Sequence, residues 1–394
     1  MAIDPKTLRG NWNYPTSIRF GPGRIAELPQ ACTAVGIARP LFVTDPGLAK
    51  LAMAKDALET CRRAGLGVAL FSEIKPNPVG RNVEDGVAAY RAGSHDGVIA
   101  FGGGSALDVG KSIAFMVGQT RPIWDFEDIG DWYTRANAEA IAPVIAVPTT
   151  AGTGSEVGRA TAIINDAVPM KKIIFHPKMM PRIVVADPEL TVGLPPRLTA
   201  GTGMDAFAHC LEAYCAPSYH PLAEGIAMEG MRLVKDYLPR AVKNGTDLEA
   251  RAHMLVASMA GATSFQKGLG AIHALSHPVG AHLDTHHGET NGVVMPYVVA
   301  FNAPAIEDKL ARLARLLDLR NPSSRAVIDW IVALRAEIGT PHTLAELGVT
   351  EAHIPLFARE GTVDPAGGGN PIALDEANLA ELFRRSIRGT LKAA

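Results

Sequence analysis

Short apolar runs alternate with segments of helical periodicity through the first half of the chain. An apolar run of four or five residues between turn residues predicts a strand that is buried on both faces of a parallel sheet. Such runs occupy residues 40–44, 67–71, 97–101, 143–147 and 183–186, and residues 17–20 add a strand that we expect at an edge. Helical spacing recurs between them, at 47–64, 83–92 and 106–117. This alternation predicts a doubly wound α/β sheet.

The pattern changes after Asp187-Pro188, where strand-like runs nearly disappear. Amphipathic helical spacing then covers residues 200–214, 222–238, 247–262, 270–277, 304–317, 323–338 and 376–387. We therefore place a boundary near residue 190, with an α/β domain over 1–190 and an all-α domain over 191–394. For two lobes of this kind, a ligand cleft between them is the default expectation.

Composition and charge exclude several classes of protein. With 394 residues, 47% hydrophobic and 20% charged, the chain has the make-up of a soluble two-domain enzyme. A formal net charge of −2 provides no basic field for nucleic acid or an anionic membrane. Residues 1–20 lack the apolar core of a signal peptide, and no run approaches the ~20 apolar residues that span a bilayer. Cys32, Cys61, Cys210 and Cys215 suggest no disulfide framework, so a cytoplasmic setting is expected.

Histidines are concentrated in residues 268–288, which hold five of the twelve in the chain. His273 and His277 are four residues apart and would share one face of a helix, which we expect Pro278 to end or kink. A loop would then return one imidazole of His286-His287 to the same place. Neutral imidazole is a common ligand of divalent transition metals. The alternative is an ordinary helix and loop with polar side chains, but the density of histidines favours a site.

A carboxylate and another imidazole occur earlier in the same half of the chain. Asp205 and His209 are four residues apart, hence on one helical face. Taken alone they could be a surface pair, but apolar residues flank both of them. Together with His273 and one of His286 and His287, they would provide one oxygen and three nitrogen ligands. Such a set suits zinc or ferrous iron.

Two glycine-rich loops follow two of the predicted strands. Gly102-Gly103-Gly104-Ser105 opens a helix, and glycines at a helix N-terminus let backbone amides approach a phosphate. A tight turn without a ligand is an equal alternative. Residues 148–156 form a second loop, PTTAGTGSE, which would lie at the same carboxyl edge. Asp45 ends another strand and could bond a ribose hydroxyl and repel a 2′-phosphate, although it could equally cap a helix-entry turn.

These motifs together resemble the iron-containing alcohol dehydrogenases, over essentially the whole chain. The resemblance rests on GGGSALDVGK at 102–111, PTTAGTGSEV at 148–157, GMDAFAHCLEAY at 203–214, and GLGAIHALSHPVGA with HHGETN ending at Asn291. It implies an NAD(P)-binding α/β domain followed by a helical metal-binding domain. The implied metal ligands are Asp205, His209, His273 and His287, the last because the family places its ligand just before the glycine. The pyrophosphate would lie on residues 102–105, and the residues implied to line the dinucleotide are Asp45, Asn77, Asp108, Thr149, Thr150, Thr153 and Lys171.

The resemblance implies hydride transfer between a small alcohol or aldehyde and nicotinamide at a divalent metal. Iron(II) is the expected ion with zinc as the alternative, and NAD is expected rather than NADP. His277 would lie near the nicotinamide as a proton relay rather than as a ligand. Relatives form dimers and larger assemblies, so a homodimer is expected.

Lys267 departs from the pattern of many relatives, which carry Ser-Asn-Ala before Gly-Leu-Gly. It could recognise a carboxylate, which would make semialdehyde acids plausible substrates, or it could be a lysine of a turn without that role. The rival function is a dehydroquinate-synthase-like lyase, which shares the two-domain plan, NAD and a metal. A non-enzymatic binding protein and a metal-free, maleylacetate-reductase-like branch are disfavoured by the complete ligand set.

Overall fold

The computed structural model describes residues 15–391 except Pro169. The chain divides into two compact units, Pro15–Gly193 and the residues from Leu194 onward. The first is an α/β unit and the second is helical. That the first binds the dinucleotide and the second the metal stays a prediction, and residues 1–14 and 392–394 of the predicted domains lie outside the described residues.

The first unit contains a six-stranded parallel sheet and a separate antiparallel hairpin. The strands are β1 (Ser17–Phe20), β2 (Pro40–Val43), β3 (Ala69–Phe71), β4 (Gly97–Gly102), β5 (Val144–Pro148), β6 (Ala160–Asn165), β7 (Met170–Phe175) and β8 (Ile183–Ala186). The strand order of the sheet is β1-β8-β5-β4-β2-β3, and the hairpin β6–β7 lies between β5 and β8 in the sequence. The predicted strands are thereby confirmed, including the edge position of β1. The hairpin was not predicted.

Four helices cover the two faces of the sheet. They are α1 (Leu28–Ala34), α2 (Ala52–Arg63), α3 (Gly80–Ala92) and α4 (Gly104–Met116). Alternate side chains of one strand enter separate cores: Phe42 packs with residues of α1 and α2, whereas Val43 packs with residues of α3 and α4. Because both faces are covered, the strands are apolar throughout, as β2, β4, β5 and β8 show by their complete burial. The doubly wound prediction is confirmed.

The second unit is helical throughout the part of the chain that the structure describes. Its helices are α5 (Pro196–Cys215), α6 (Pro221–Lys243), α7 (Leu248–Ser264), α8 (Ala271–Leu283), α9 (His287–Leu316), α10 (Ser324–Ile338), α11 (Ile354–Thr362) and α12 (Glu376–Arg388). Helix α9 contains a break at Ile306, whose φ of −134° is not helical. Helix α5 is buried along most of its length and packs against α6, α7 and α9. It is therefore the central helix of the unit.

Pro278 was expected to end or kink its helix just after His277. A helix end there is wrong, because α8 continues through Pro278 to Leu283. Residues 271–280 are all buried, and the packing of that surface outweighs a proline penalty of about 3 kcal/mol. Pro278 has no amide hydrogen to donate to the carbonyl of Ala274. That carbonyl lies close to Gly361, where a Cβ atom would be 3.1 Å from its oxygen.

A membrane-spanning helix is absent from residues 15–391, Pro169 apart, since none of the helices there is both long and apolar enough.

Candidate metal centre and nucleotide loops

Helix α5 presents three polar side chains from an otherwise apolar surface. Asp205, His209 and Glu212 follow one another at intervals of four and three residues, so that they share one face. All three are buried, with 4–6% exposure. The Nε2 atom of His209 lies 3.8 Å from Oδ1 of Asp205. Burying such groups is costly unless they are paired or bind a cation, which makes this face a candidate site.

Helix α8 is fixed by hydrogen bonds at its first turn. The amide of Ile272 donates to Oε1 of Glu212 at 2.6 Å, and the amide of Ala271 donates to Oδ1 of Asn370 at 3.1 Å. These acceptors satisfy amides that a helix leaves free at its N-terminus. The same carboxylate of Glu212 also reaches His273 Nδ1, at 2.5 Å through Oε2. Glu212 therefore positions both the helix and its imidazole.

Helix α9 brings its first residue to the same place. A Cβ at Gly288 would lie 2.1 Å from the carbonyl oxygen of Gly201 and 2.8 Å from Cβ of Asp205. Only glycine permits that approach, and it places Nε2 of His287 3.5 Å from Oδ1 of Asp205. His286 instead caps α9, where its Nδ1 accepts from the amide of Glu289 at 3.3 Å.

Asp205, His273 and His287 thus meet at one point. Each offers one ligand atom, and these atoms lie within 4.8 Å of one another, which among the described residues makes them a candidate metal site. His209 lies beside this group, with its ring stacked on His273 at a centroid distance of 4.8 Å. One carboxylate oxygen with imidazole nitrogens suits zinc or iron(II), so the donor set fits a divalent transition metal. The structure brings all four predicted ligands together; that they bind the metal stays a prediction.

Glu212 determines how His273 faces the site. With Nδ1 bonded to the carboxylate, Nε2 carries its lone pair toward Asp205 and His287, which is the usual arrangement of a metal-binding histidine. Burial alone would lower the pKa of His273, but the carboxylates of Glu212 and Asp205 outweigh it and raise the pKa above its ordinary value.

His277 lies next to the candidate site and has a carboxylate partner of its own. Its Nδ1 is 2.7 Å from Oδ2 of Asp364, and its ring stacks on His287 at 5.3 Å. Asp364 is nearly buried and also accepts the amide of Ala366 at 2.9 Å. Burial favours the neutral acid, but His277 outweighs it and holds the pKa of Asp364 below its usual range.

Lys267 does not face these ligands. Its buried ammonium group donates to the carbonyl of Ala216 and lies 3.5 Å from the carbonyl of Tyr214, at the C-terminal end of α5. Glu224 Oε1 lies 3.3 Å from it. Burial, with Lys309 nearby, lowers the pKa of Lys267 to about 8. The structure therefore supports a helix-capping lysine rather than one that recognises a substrate carboxylate.

In the α/β unit, the two glycine-rich loops pack together. Strands β4 and β5 are neighbours, and the amide of Thr149 donates to the carbonyl of Gly102 at 3.0 Å. A Cβ at Gly103 would meet Thr150 Cγ2 at 3.2 Å, and one at Gly104 would meet Thr153 Oγ1 at 2.5 Å. Both loops lie at the carboxyl ends of neighbouring strands, as predicted, and the N-terminus of α4 lies against hydroxyl-bearing side chains of the second loop. This is an arrangement that accepts an anion.

The remaining predicted cofactor residues fall into two groups. Those of the first group, Asp45, Ser105 and Asp108, form hydrogen bonds within or between loops. Asp108 accepts from Ser155 Oγ and, at 2.9 Å, from the amide of Ala162. Ser105 donates through Oγ to the carbonyl of Pro76. Asp45 Oδ1 accepts two amides of the turn that follows β2, each at 2.9 Å, which is the helix-entry alternative raised above. Ribose binding by Asp45 stays a prediction.

Asn77 and Lys171 form the second group, because the β6–β7 hairpin brings their segments together. Ile164 of β6 pairs with Lys171 of β7 and forms a parallel bridge to Val79, two residues after Asn77. Both side chains are partly buried. Their contact with a dinucleotide stays a prediction.

The sequence did not reveal three residues that contact the candidate ligands: Glu212, Asp364 and Asn291, whose Nδ2 donates to Oδ1 of Asp205 at 2.9 Å. Glu212 and Asn291 carried a signal, because Glu212 follows Asp205 by two helical turns and Asn291 follows His287 by one. Asp364 carried none, since 87 residues separate it from His277.

Two family models together match most of the chain. The model described as iron-containing alcohol dehydrogenase matches residues 15–188, and the model of the C-terminal part of the same family matches residues 199–387. The 4-hydroxybutyrate dehydrogenase of Cupriavidus necator is 39% identical over 95% of this chain and 99% of its own length. The NAD-dependent methanol dehydrogenase of Bacillus methanolicus is 34% identical over 96% and 100%. The crystal structure of a 1,3-propanediol oxidoreductase superposes with a TM-score of 0.91 at 34% identity, over 96% of this chain and 99% of that one.

Proposed function

The chain belongs to the iron-containing alcohol dehydrogenase family and is an NAD-dependent alcohol and aldehyde oxidoreductase that uses a divalent metal, and from that premise we propose the roles of its residues. The observation that supports this assignment is that the ligand atoms of Asp205, His273 and His287 lie within 4.8 Å of one another. Glu212 contacts His273 on the opposite side of its ring. The predicted lyase alternative is thereby set aside, because the family relatives are dehydrogenases.

Asp205, His209, His273 and His287 are the ligands we assign to the metal, which we take to be iron(II), with zinc as the alternative. His209 is included because its Nε2 lies 3.8 Å from Oδ1 of Asp205 on the same helical face. Bound there, a cation would supply Lewis acidity toward the substrate oxygen, and a nicotinamide would supply the hydride chemistry. Glu212 keeps His273 in the tautomer that directs Nε2 at the site.

His277 is the proton relay of this proposal. Asp364 holds its Nδ1 at 2.7 Å, and we assign to Nε2 the exchange of a proton with the substrate hydroxyl, directly or through a cofactor hydroxyl. The stacking of His277 on His287 supports a position close to the reacting oxygen. Asp364 then stabilises the imidazolium without itself accepting the proton.

The dinucleotide is assigned to the α/β unit. Gly102, Gly103, Gly104 and Ser105 at the start of α4 would bind the pyrophosphate, with Thr149, Thr150 and Thr153 beside them. Oδ1 of Asp45 accepts an amide of the turn, which fixes the position of the carboxylate. Asp45 would select NAD over NADP, because its negative charge would repel a 2′-phosphate. Asn77, Asp108 and Lys171 would complete the lining.

The substrate we propose is a short primary alcohol or its aldehyde. A carboxylated substrate such as 4-hydroxybutyrate is the second candidate, because a relative at 39% identity is named for it. Lys267 would not bind its carboxylate, since the ammonium group is buried at the end of α5.

The decisive experiment measures NADH formation after reconstitution with iron(II) or zinc. Methanol, 1,3-propanediol and 4-hydroxybutyrate form the panel, and Asp205→Ala is the test variant. We expect net NADH with at least one alcohol and at least about a hundredfold loss in the variant, since even a residue that only orients a ligand contributes ~10–100-fold. Asp236→Ala, an exposed carboxylate of α6, is the control and should retain activity. Metal-independent turnover, or none with any alcohol, would refute the assignment.

We also propose a cytoplasmic homodimer. All four cysteines are free and buried, which is compatible with a reducing compartment. The dimer rests on the family resemblance alone, and light scattering of the purified protein would test it.

A further inference from the structure

Asn291 is directed at the metal ligands from a position that the activity does not explain. It lies on α9 one turn after His287 and is fully buried. Its Nδ2 donates to Asp205 Oδ1 at 2.9 Å and lies 3.2 Å from His287 Nε2 and 3.4 Å from His273 Nε2. One amide group thus contacts the ligand atom of all three residues that form the candidate site.

These contacts involve the lone pairs that a cation would use. His273 carries its proton on Nδ1, against Glu212, so its Nε2 is an acceptor. His287 can do the same, because its Nδ1 lies 3.5 Å from Oγ of Ser276. A cation bound by these atoms would leave Nδ2 without acceptors there, and its hydrogens would point at a positive charge.

The other end of the amide lacks a partner. Oδ1 of Asn291 is buried and finds no hydrogen bond among the described residues. An unsatisfied buried acceptor typically costs about 1–3 kcal/mol. A half-turn about the Cβ–Cγ bond exchanges the two ends of the amide, which have nearly the same size. That rotation brings an oxygen to the lone pairs of the site and removes the hydrogens from it.

We infer that Asn291 is a further member of the cation site, whose Oδ1 serves as an additional oxygen donor to the bound metal. The inference rests on the proposed metal-dependent function and goes beyond it, because it concerns which metal the site prefers. An added oxygen makes the site harder and raises the coordination number above four. Zinc prefers four-coordinate tetrahedral sites, so the amide would favour iron(II) or cobalt(II) relative to zinc.

Metal binding to the metal-free protein tests this directly, without measuring turnover. Affinities for zinc and cobalt(II) are measured by competition with a chromophoric chelator, and the d–d absorption of bound cobalt reports its coordination number. Asn291→Leu keeps the volume but removes the donor, whereas Asn291→Asp keeps an oxygen. Tyr297→Phe is the control, since it removes a partly buried hydrogen bond of the same helix, to the carbonyl of His342, away from the candidate site.

We expect Asn291→Leu to weaken cobalt binding roughly tenfold or more, to weaken zinc binding less, and to shift the cobalt spectrum toward the intense bands of a tetrahedral ion. Asn291→Asp should bind both metals at least as tightly as the unaltered protein. If Asn291→Leu does not fold, weakened binding by Asn291→Asp alone would overturn the inference.

Two other results would overturn it as well. One is unchanged affinity and spectrum in both Asn291 variants. The other is an equal loss in Tyr297→Phe, which would indicate packing of α9 alone. In either case turnover by the unaltered enzyme would leave the proposed function intact. An unaltered protein that binds neither metal would refute both.

Discussion

His273 is held at both of its ring nitrogens. Glu212 bonds Nδ1 at 2.5 Å, while Nε2 is directed at Asp205 and His287. The same carboxylate accepts the amide of Ile272, so that the ring and the first turn of α8 share one anchor. A second partner of this kind fixes the tautomer of a ligand and raises its basicity. Glu212 should therefore act on metal affinity through His273.

Replacing Glu212 by glutamine tests that role. The side-chain oxygen can still accept a hydrogen bond from the amide of Ile272, but the negatively charged partner of His273 Nδ1 is lost. We expect metal affinity to fall about 10–100-fold, measured by chelator competition. Glu229→Gln, an exposed glutamate of α6, is the control and should bind normally. Unaltered affinity in Glu212→Gln would contradict the role.

The sequence could indicate the proposed ligands because their spacing is local. Asp205 and His209 share a helical face, and the HHG motif offers two adjacent imidazoles; the family pattern chose between them. Asp364 could not be found this way, since only tertiary folding brings a loop carboxylate to His277. The side chain of Lys267 was also undecided, because its charge alone does not say whether it meets a ligand or the carbonyls of a helix end.

At the scale of elements, Lys267 is the cation at the end of α5. The carbonyls of Tyr214 and Ala216 belong to the last turn and the C-cap of that helix. Carbonyls at this end of a helix accept no amide from the helix itself, and Lys267 contacts both of them. Glu224 of α6 is shared between Lys267 and Lys309, at 3.3 and 2.8 Å. The cation thus ties the end of the helix that carries Asp205 to the next helix.

Lys267→Met keeps the aliphatic chain and removes the ammonium group. We expect the variant to lose about 1–3 kcal/mol of unfolding free energy, because the carbonyl of Ala216 loses its donor. The carbonyl of Tyr214 keeps Lys309 as a donor at 2.8 Å. The ratio of kcat/KM for 4-hydroxybutyrate to that for 1,3-propanediol should not change. Lys243→Met, at the exposed end of α6, should affect neither quantity. A selective loss on the acidic substrate would restore Lys267 as a carboxylate-binding residue.

Elements with continuous apolar sequences were predictable, and the others were not. Strands β2, β4, β5 and β8 are buried on both faces, so their sequences are apolar without interruption. The β6–β7 hairpin is only partly buried, and Lys171 and Lys172 interrupt its apolar pattern. The helix end expected at Pro278 was wrong because the low helix propensity of proline is a local signal, which tertiary packing of α8 outweighs.

For the molecule as a whole, one buried acid introduces a dependence of stability on pH. Glu156 lies in the second glycine-rich loop, is 1% exposed, and has an Oε1 without a partner among the described residues. Burial raises its pKa from 4.5 to about 7. The folded state therefore binds more protons than the unfolded state between these values, so stability falls as the pH rises through this window. The total loss is roughly 3 kcal/mol, at 1.36 kcal/mol for each unit of pKa.

Glu156→Gln should remove this dependence. Thermal unfolding of the variant should occur at a higher temperature than that of the unaltered protein at pH 8, and the difference should shrink toward pH 4.5. Glu84→Gln, an exposed glutamate of the same unit, is the control and should follow the unaltered protein. A variant that is less stable at pH 8 would show that ionised Glu156 has a stabilising partner instead.

The proposed ligand residues come from three different helices, and 86 residues separate Asp205 from Asn291. The complete set therefore exists only in the folded helical unit, although His273 and His287 alone lie within one short segment. On this proposal, selection of the ion is a late event, made by a finished protein. The same enzyme expressed under iron-poor and iron-rich conditions should differ in its ion content rather than in its yield of folded chain.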